Sequence, residues 1–212
     1  MKVEISGSGL IGTSMGLALH RAGHQIRFTD LVPGNAVLAA ARIESVEFDG
    51  KADLFVSALP SDLVGEDIIR AQRSNLAHMF IDVASIKTNV QDHVKSFGDE
   101  ISYCGTHPMA GSERSGPVAA RSDLFEGRAW VYTPSESTQN SLVEIVEEVI
   151  ADCGALPIRM TPLEHDSAVA AVSHTPQVLA SLLASALSQV PQSHLAIAGS
   201  GLRDTIRIAG SD

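Results

Sequence analysis

The sequence predicts an α/β fold: a doubly wound parallel sheet followed by an all-helical segment. Three observations predict it. Short β-rich runs alternate with helical runs from the N-terminus to about residue 160. A glycine-rich turn, Gly7, Gly9 and Gly12, joins the first strand pattern to the first helix pattern. Beyond Pro162 the strand texture stops and a long Ala- and Leu-rich run begins.

The elements follow in order. "KVEIS" (2–6) alternates and is β-rich, and "GSGLIG" leads into the helical stretch "TSMGLALHRAG", which stops on Gly23. "QIRFTD" (25–30) is a second strand, and "ADLFVSALP" (52–60) is a buried strand running into a loop. "DLVGEDIIRAQRSN" (62–75) is helical, "HMFIDVASIK" (78–87) is a strand with a small polar tip, and "ISYCGTHP" (101–108) is a strand that ends at a histidine. "EGRAWVYTP" (126–134) and "GALPIRMTP" (154–162) are two more strands, separated by a helix that stops at Gly154. The run after Pro162 is helical, and Pro176, which lacks the N–H to bond back to Val172, either breaks it or stands in the first turn of a new helix. The expected domains are 1–160 and 161–212. About 50 residues are few to bury a core unaided, so the second segment reads as truncated, or completed by another subunit.

Composition narrows the function. The chain of 212 residues is 44% hydrophobic and 19% charged, which suits a globular protein. Its formal net charge of −10 argues against nucleic acid and against an anionic membrane surface. An anionic ligand would then need a locally positive site. Two cysteines, Cys104 and Cys153, have no metal-type spacing and read as buried thiols in a reducing cytoplasm. No metal is expected. No apolar run approaches the length of a membrane span, and "MKVEIS" is no signal peptide.

The chemistry sits at the strand ends. In the G-x-G-x-x-G pattern Gly7 makes the tight turn, Gly9 admits a pyrophosphate and Gly12 lets helix and strand pack closely, the fingerprint of a Rossmann-type dinucleotide site. Leu10 and Ile11 open the helix whose amides would face the phosphates. Asp30 ends the second strand 18 residues after Gly12, where a carboxylate accepts ribose hydroxyls and repels a 2′-phosphate, pointing to NAD rather than NADP. A helix cap or turn is its plainer role. Ser57, Ser85 and His107 stand near the ends of three strands, the edge where such sheets bind ligands, and Pro60 follows Ser57 in the same loop. A neutral imidazole there can take the proton of a carbinol as hydride leaves. Ser85 is placed to fix its tautomer.

Seven segments in order resemble the prephenate and arogenate dehydrogenases of tyrosine biosynthesis: "GSGLIGTSMGLAL", "SALP", "DVASIK", "THPMAGSERSGP", "DLFEGRAWVYTP", "EHDSAVAAVSHTPQ" and "GLRDTIRIAGSD". The resemblance covers essentially the whole chain. It implies NAD-dependent oxidation of a ring carbinol with loss of the ring carboxylate as carbon dioxide, and a homodimer built through C-terminal helices. It implies that His107 is the base and that Ser85 orients histidine and substrate. Ser112 and Glu113 would line the pocket, His174 would stand at the substrate, and Arg207 would pair a substrate carboxylate in a fork. Without the resemblance, His174 reads as a helix histidine and Arg207 as a surface ion pair. One departure stands out: many members carry "SHLPH" where this chain has "SHTPQ", so Gln177 replaces a histidine near the substrate side chain. Competing readings are another oxidoreductase of the same fold, a module that senses NAD without turnover, and a folded but inactive fragment.

Overall fold

A computed structural model describes residues 1–43, 48–98, 101–112 and 114–210. The chain divides into two compact units, Met1–His165 and Asp166–Asp212.

The first unit is a sheet of seven strands in the order β2-β1-β3-β4-β5-β6-β7. They are β1 (Lys2–Ser6), β2 (Gln25–Thr29), β3 (Ala52–Ser57), β4 (Ala77–Asp82), β5 (Tyr103–Pro108), β6 (Ala129–Thr133) and β7 (Leu156–Arg159). The helices between them are α1 (Leu10–Arg21), α2 (Pro33–Ala40), α3 (Ser61–Arg73), α4 (Thr88–Phe97) and α5 (Asn140–Asp152). Side-chain alternation on the strands feeds two cores. Val3, Ile5, Leu54 and Val56 pack in one core with α1 and with Leu142, Val146, Val149 and Ile150 of α5. Phe55 and Phe80 pack in the other with Val64 and Ile68 of α3 and Val90 and Val94 of α4. Each fully buried large aliphatic side chain contributes about 1.5–3 kcal/mol. Helices on both faces bear out the doubly wound expectation. Both cysteines are buried and unpaired with each other.

Two strands depart from the parallel expectation. β6 runs antiparallel to β5, with His107 opposite Val131, and β7 runs parallel to β6, so both oppose β1–β5. A parallel return needs a crossover, most often a helix. Residues 109–128 hold among their described residues only a short 3-10 turn, Pro117–Ala119, so the chain turns back at the edge where β5 ends. The β4–β5 ladder is short, pairing Phe80 with Tyr103 and Ile81 with Cys104.

The second unit is helical. α6 (Pro162–Val169) precedes it and carries the unit boundary; α7 (Thr175–Leu187), α8 (Gln192–Leu195), α9 (Ser200–Ile206) and a terminal 3-10 turn (Arg207–Gly210) follow. Of the two readings of Pro176, the first-turn position is the one found. The turn Ala170–His174 widens to π geometry, with the Thr175 N–H bonded back to Ala170 O, and Pro176 then sits in the first turn of α7. A proline in a first turn forfeits little, and a π turn absorbs the mismatch. The helical run Pro162–Leu187 is therefore 26 residues, long and apolar enough by composition to cross a membrane. This corrects the expectation that no run approaches that length: the π turn joins α6 and α7 without a break. Val172, Val178, Leu179 and Leu182 on it are 56–69% exposed. This unit has little core of its own: among its described residues Val169 and Ala180 are the buried hydrophobics.

Candidate active site

The glycine turn is shaped by sterics. Gly7 has φ of +98°, and a Cβ there would lie 2.5 Å from Ala58 O. A Cβ on Gly12 would lie 2.0 Å from Gly7 O, so both positions exclude any side chain. Gly9 is different: a Cβ there would meet nothing within 4 Å, leaving the turn open to a ligand where the fingerprint expects the pyrophosphate. Leu10 and Ile11 are half-buried at the start of α1, whose first amides have no acceptor inside the helix. Asp30 belongs to the same construction. Its Oδ2 accepts the Ser8 N–H at 2.7 Å and its Oδ1 the Val32 N–H at 2.8 Å. The carboxylate is thereby fixed beside the glycine turn, with a second lone pair on each oxygen.

Ser57 ends β3 in register with Asp82 at the end of β4. Its hydroxyl donates to the buried Asp67 at 2.8 Å, a tie from β3 to α3. Pro60 is exposed and caps α3.

Beneath the "DVASIK" loop lies a buried charge cluster. Asp82 and Lys87 are both 0% exposed and form an ion pair. Asp82 also accepts the Ala84 N–H at 2.7 Å and the Tyr103 hydroxyl at 2.5 Å. Burial, and then the Asp82 charge, push the Tyr103 phenol well above its usual value. Burial likewise pushes the Cys104 thiol up to about 12, with Asp82 reinforcing it. The Trp130 indole donates to Thr106 Oγ1 at 3.0 Å, and Thr106 Oγ1 donates to Asp82 O at 2.5 Å. β4, β5, β6 and the 83–87 loop are thus bonded around one carboxylate-bearing residue.

His107 stands at the carboxyl end of β5, half-buried. Its Nδ1 lies 2.9 Å from Nε2 of His165, a fully buried residue of α6, and the rings meet edge to face. Ser85, expected to orient the imidazole, lies three residues past the end of β4 in the loop, its exposed hydroxyl 3.4 Å from Ser61 Oγ. Ser112 accepts the Arg114 N–H at 3.2 Å and borders an open cleft of about 530 Å³ with Arg114 and Arg121. Glu113 lies outside the described residues.

In the second unit His174 is exposed in the π turn. Gln177 donates its Nε2–H to Ile208 O at 2.7 Å. Arg207 opens the terminal turn, is exposed, and has no ion pair among the described residues. Among the described residues one histidine–carboxylate group, His24, Glu148 and Asp152, has atoms close enough to share a cation; a 2.7 Å pairing of His24 with Asp152 accounts for it.

His165, Asp82, Lys87 and Tyr103 are the residues that sequence reasoning misses. The first lies inside "EHDSAVA" and the next two bound "DVASIK", so the motifs flag the segments without telling which side chains turn inward.

Two family models match the chain: the prephenate dehydrogenase nucleotide-binding domain over residues 15–158 and the prephenate dehydrogenase dimerization domain over 161–212. The chain is 34% identical to the "Probable prephenate dehydrogenase NovF" of Streptomyces niveus, over 98% of this chain and 58% of that protein. Among solved structures, the prephenate dehydrogenase of Aquifex aeolicus in complex with hydroxyphenyl propionate and NAD+ superposes with a TM-score of 0.87 at 25% identity, covering 100% of this chain and 79% of that one. The Synechocystis arogenate dehydrogenase gives 0.82 at 28% identity, covering 100% and 80%. The chain spans 58–62% of the length of three curated relatives that it matches along nearly its whole length.

Proposed function

Because the chain belongs to the prephenate dehydrogenase family, we propose that it oxidises prephenate with loss of carbon dioxide, giving 4-hydroxyphenylpyruvate, with NAD as acceptor. The observation that carries the reading is His107, set at the carboxyl edge of the sheet that bears the glycine turn, its Nδ1 engaged by a buried histidine. The open face at Gly9 and the fixed Asp30 carboxylate fit a dinucleotide with a free ribose diol. Bound there, NAD supplies the hydride acceptor.

The chain's own residues do the rest. For His107 to take the ring hydroxyl proton at Nε2, its Nδ1 must carry hydrogen and donate to His165 Nε2. His165 must then hold its own proton on Nδ1. The imidazolium formed keeps the same hydrogen bond and passes its proton to solvent. Aromatisation drives the loss of carbon dioxide, so orientation and proton removal are the protein's tasks. Arg207 pairs a substrate carboxylate as a planar fork, a local cation on a chain of net charge −10. The exposed apolar stripe of α7, in the segment that matches a dimerization domain, is read as the contact with a second copy.

Arogenate is the second candidate, supported by the likeness to the Synechocystis enzyme. Reduced-cofactor absorbance with each substrate, with NAD and with NADP, decides between them. His107→Asn should cut turnover by about two to four orders of magnitude while NAD binding holds. Near-normal turnover in that variant ends the assignment of the base, and NAD binding with no turnover in the wild type would make the chain a sensor.

A further inference from the structure

We infer that Gln177 is a positioning residue for Arg207, its side-chain amide tethering the turn on which the carboxylate-binding guanidinium stands. The inference rests on the proposed role of Arg207. Arg207–Gly210 forms a 3-10 turn after α9, and Ile208 lies within it. Gln177, half-buried on α7, donates its Nε2–H to Ile208 O at 2.7 Å across 31 residues of sequence. The bond therefore holds the backbone one residue from Arg207. Arg207 itself is exposed, with no ion pair among the described residues to set its direction. A long guanidinium stem gains its direction from a fixed base and its partner. Gln177 supplies a side-chain hydrogen bond to this base.

The place of Gln177 in the chain fits that task. It lies three residues past His174, just after the π turn, where α7 resumes ordinary α geometry. Where many family members carry a histidine, this chain carries an amide whose N–H is engaged by backbone. Gln177 thus acts on the substrate through Arg207 rather than by reading the substrate side chain.

The test uses the full chain with prephenate and NAD. Gln177→Met keeps length and removes the donor; Gln177→Asn keeps an amide too short to reach Ile208 O. Each should raise KM for prephenate about three- to tenfold, the scale of one hydrogen bond, with kcat and the KM for NAD unchanged within about twofold. Gln177→His, which retains a ring N–H at similar reach, should recover most of the loss. In an Arg207→Ala background, itself raised by at least about thirtyfold, Gln177→Met should add nothing. Unchanged prephenate KM in both the Met and Asn variants overturns the inference, as does a full independent loss in the Arg207→Ala background. An Arg207→Ala protein with normal KM instead overturns the role of Arg207. Trypsin provides a readout free of activity: cleavage after Arg207, relative to Arg203, should quicken about three- to tenfold in Gln177→Met. An unchanged ratio sinks the tether even if the wild type turns over nothing.

Discussion

Lys87→Met isolates the buried pair beneath the "DVASIK" loop. Methionine nearly matches the length and volume of lysine, so the change removes a charge and leaves little cavity. Asp82 keeps the Ala84 amide and the Tyr103 hydroxyl but loses its counter-charge. Both partners are 0% exposed, so water offers no replacement. Removing one member of such a pair costs about 3–5 kcal/mol. With a urea slope of about 2 kcal/mol per molar, the unfolding midpoint should fall by about 1.5–2.5 M. Far-ultraviolet circular dichroism in a urea series reads that shift directly. Adding Asp82→Leu removes the stranded carboxylate, and the double variant should recover part of the loss, because a buried pair replaced by apolar groups is often near neutral. A Lys87→Met midpoint within about 0.5 M of the wild type would refute the reasoning, since the carboxylate would then be reached by solvent.

Two other outcomes follow from the geometry. Asp30→Ser should raise KM for NAD about ten- to a hundredfold, the scale of a hydrogen bond to a charged acceptor, and improve use of NADP; a wild type that already uses both equally would leave Asp30 without that role. The chain has two tyrosines, and both phenols are pushed up, Tyr132 to about 12 by burial and then by its bond to Glu147, Tyr103 well above its usual value. The neutral phenol is the form the fold favours, so this stability is complete below about pH 10 and is lost as pH rises through about 12. Phenolate absorbance should stay flat in the native chain to about pH 11 and rise near the ordinary value in urea; an early native rise would show solvent at one ring.

The doubly wound sheet was legible because its signals are local. β-rich runs, helix stops and the turn at Gly7, Gly9 and Gly12 each depend on neighbours in sequence. The reversal of β6 was not, because strand direction is decided by whether the intervening chain crosses the sheet, and a loop of twenty-odd residues could do either. His107 was legible from its place at a strand end. Its partner was not: His165 comes 58 residues later, and no periodicity marks which helix histidine turns inward. Gln177 shows the converse, a residue found by its motif whose hydrogen bond goes to backbone instead of standing open. The π turn was hidden because Pro176 ordinarily announces a break, and nothing in the letters tells a widened turn from an interrupted helix.

The short β4–β5 ladder has a consequence for how the first unit breathes. Neighbouring parallel pairs hold four or five residues in register; here two do, and side chains around Asp82 supply the remaining attachment. Such a seam is where a sheet parts below the threshold of global unfolding, dividing it into cooperative blocks. The glycine turn and Asp30 fall in the block of β1 to β4, and His107 in the block of β5 to β7. Parting the dinucleotide pocket from the proton acceptor therefore means breaking the polar rivet at Asp82 together with the two hydrophobic layers, both of which cross the seam.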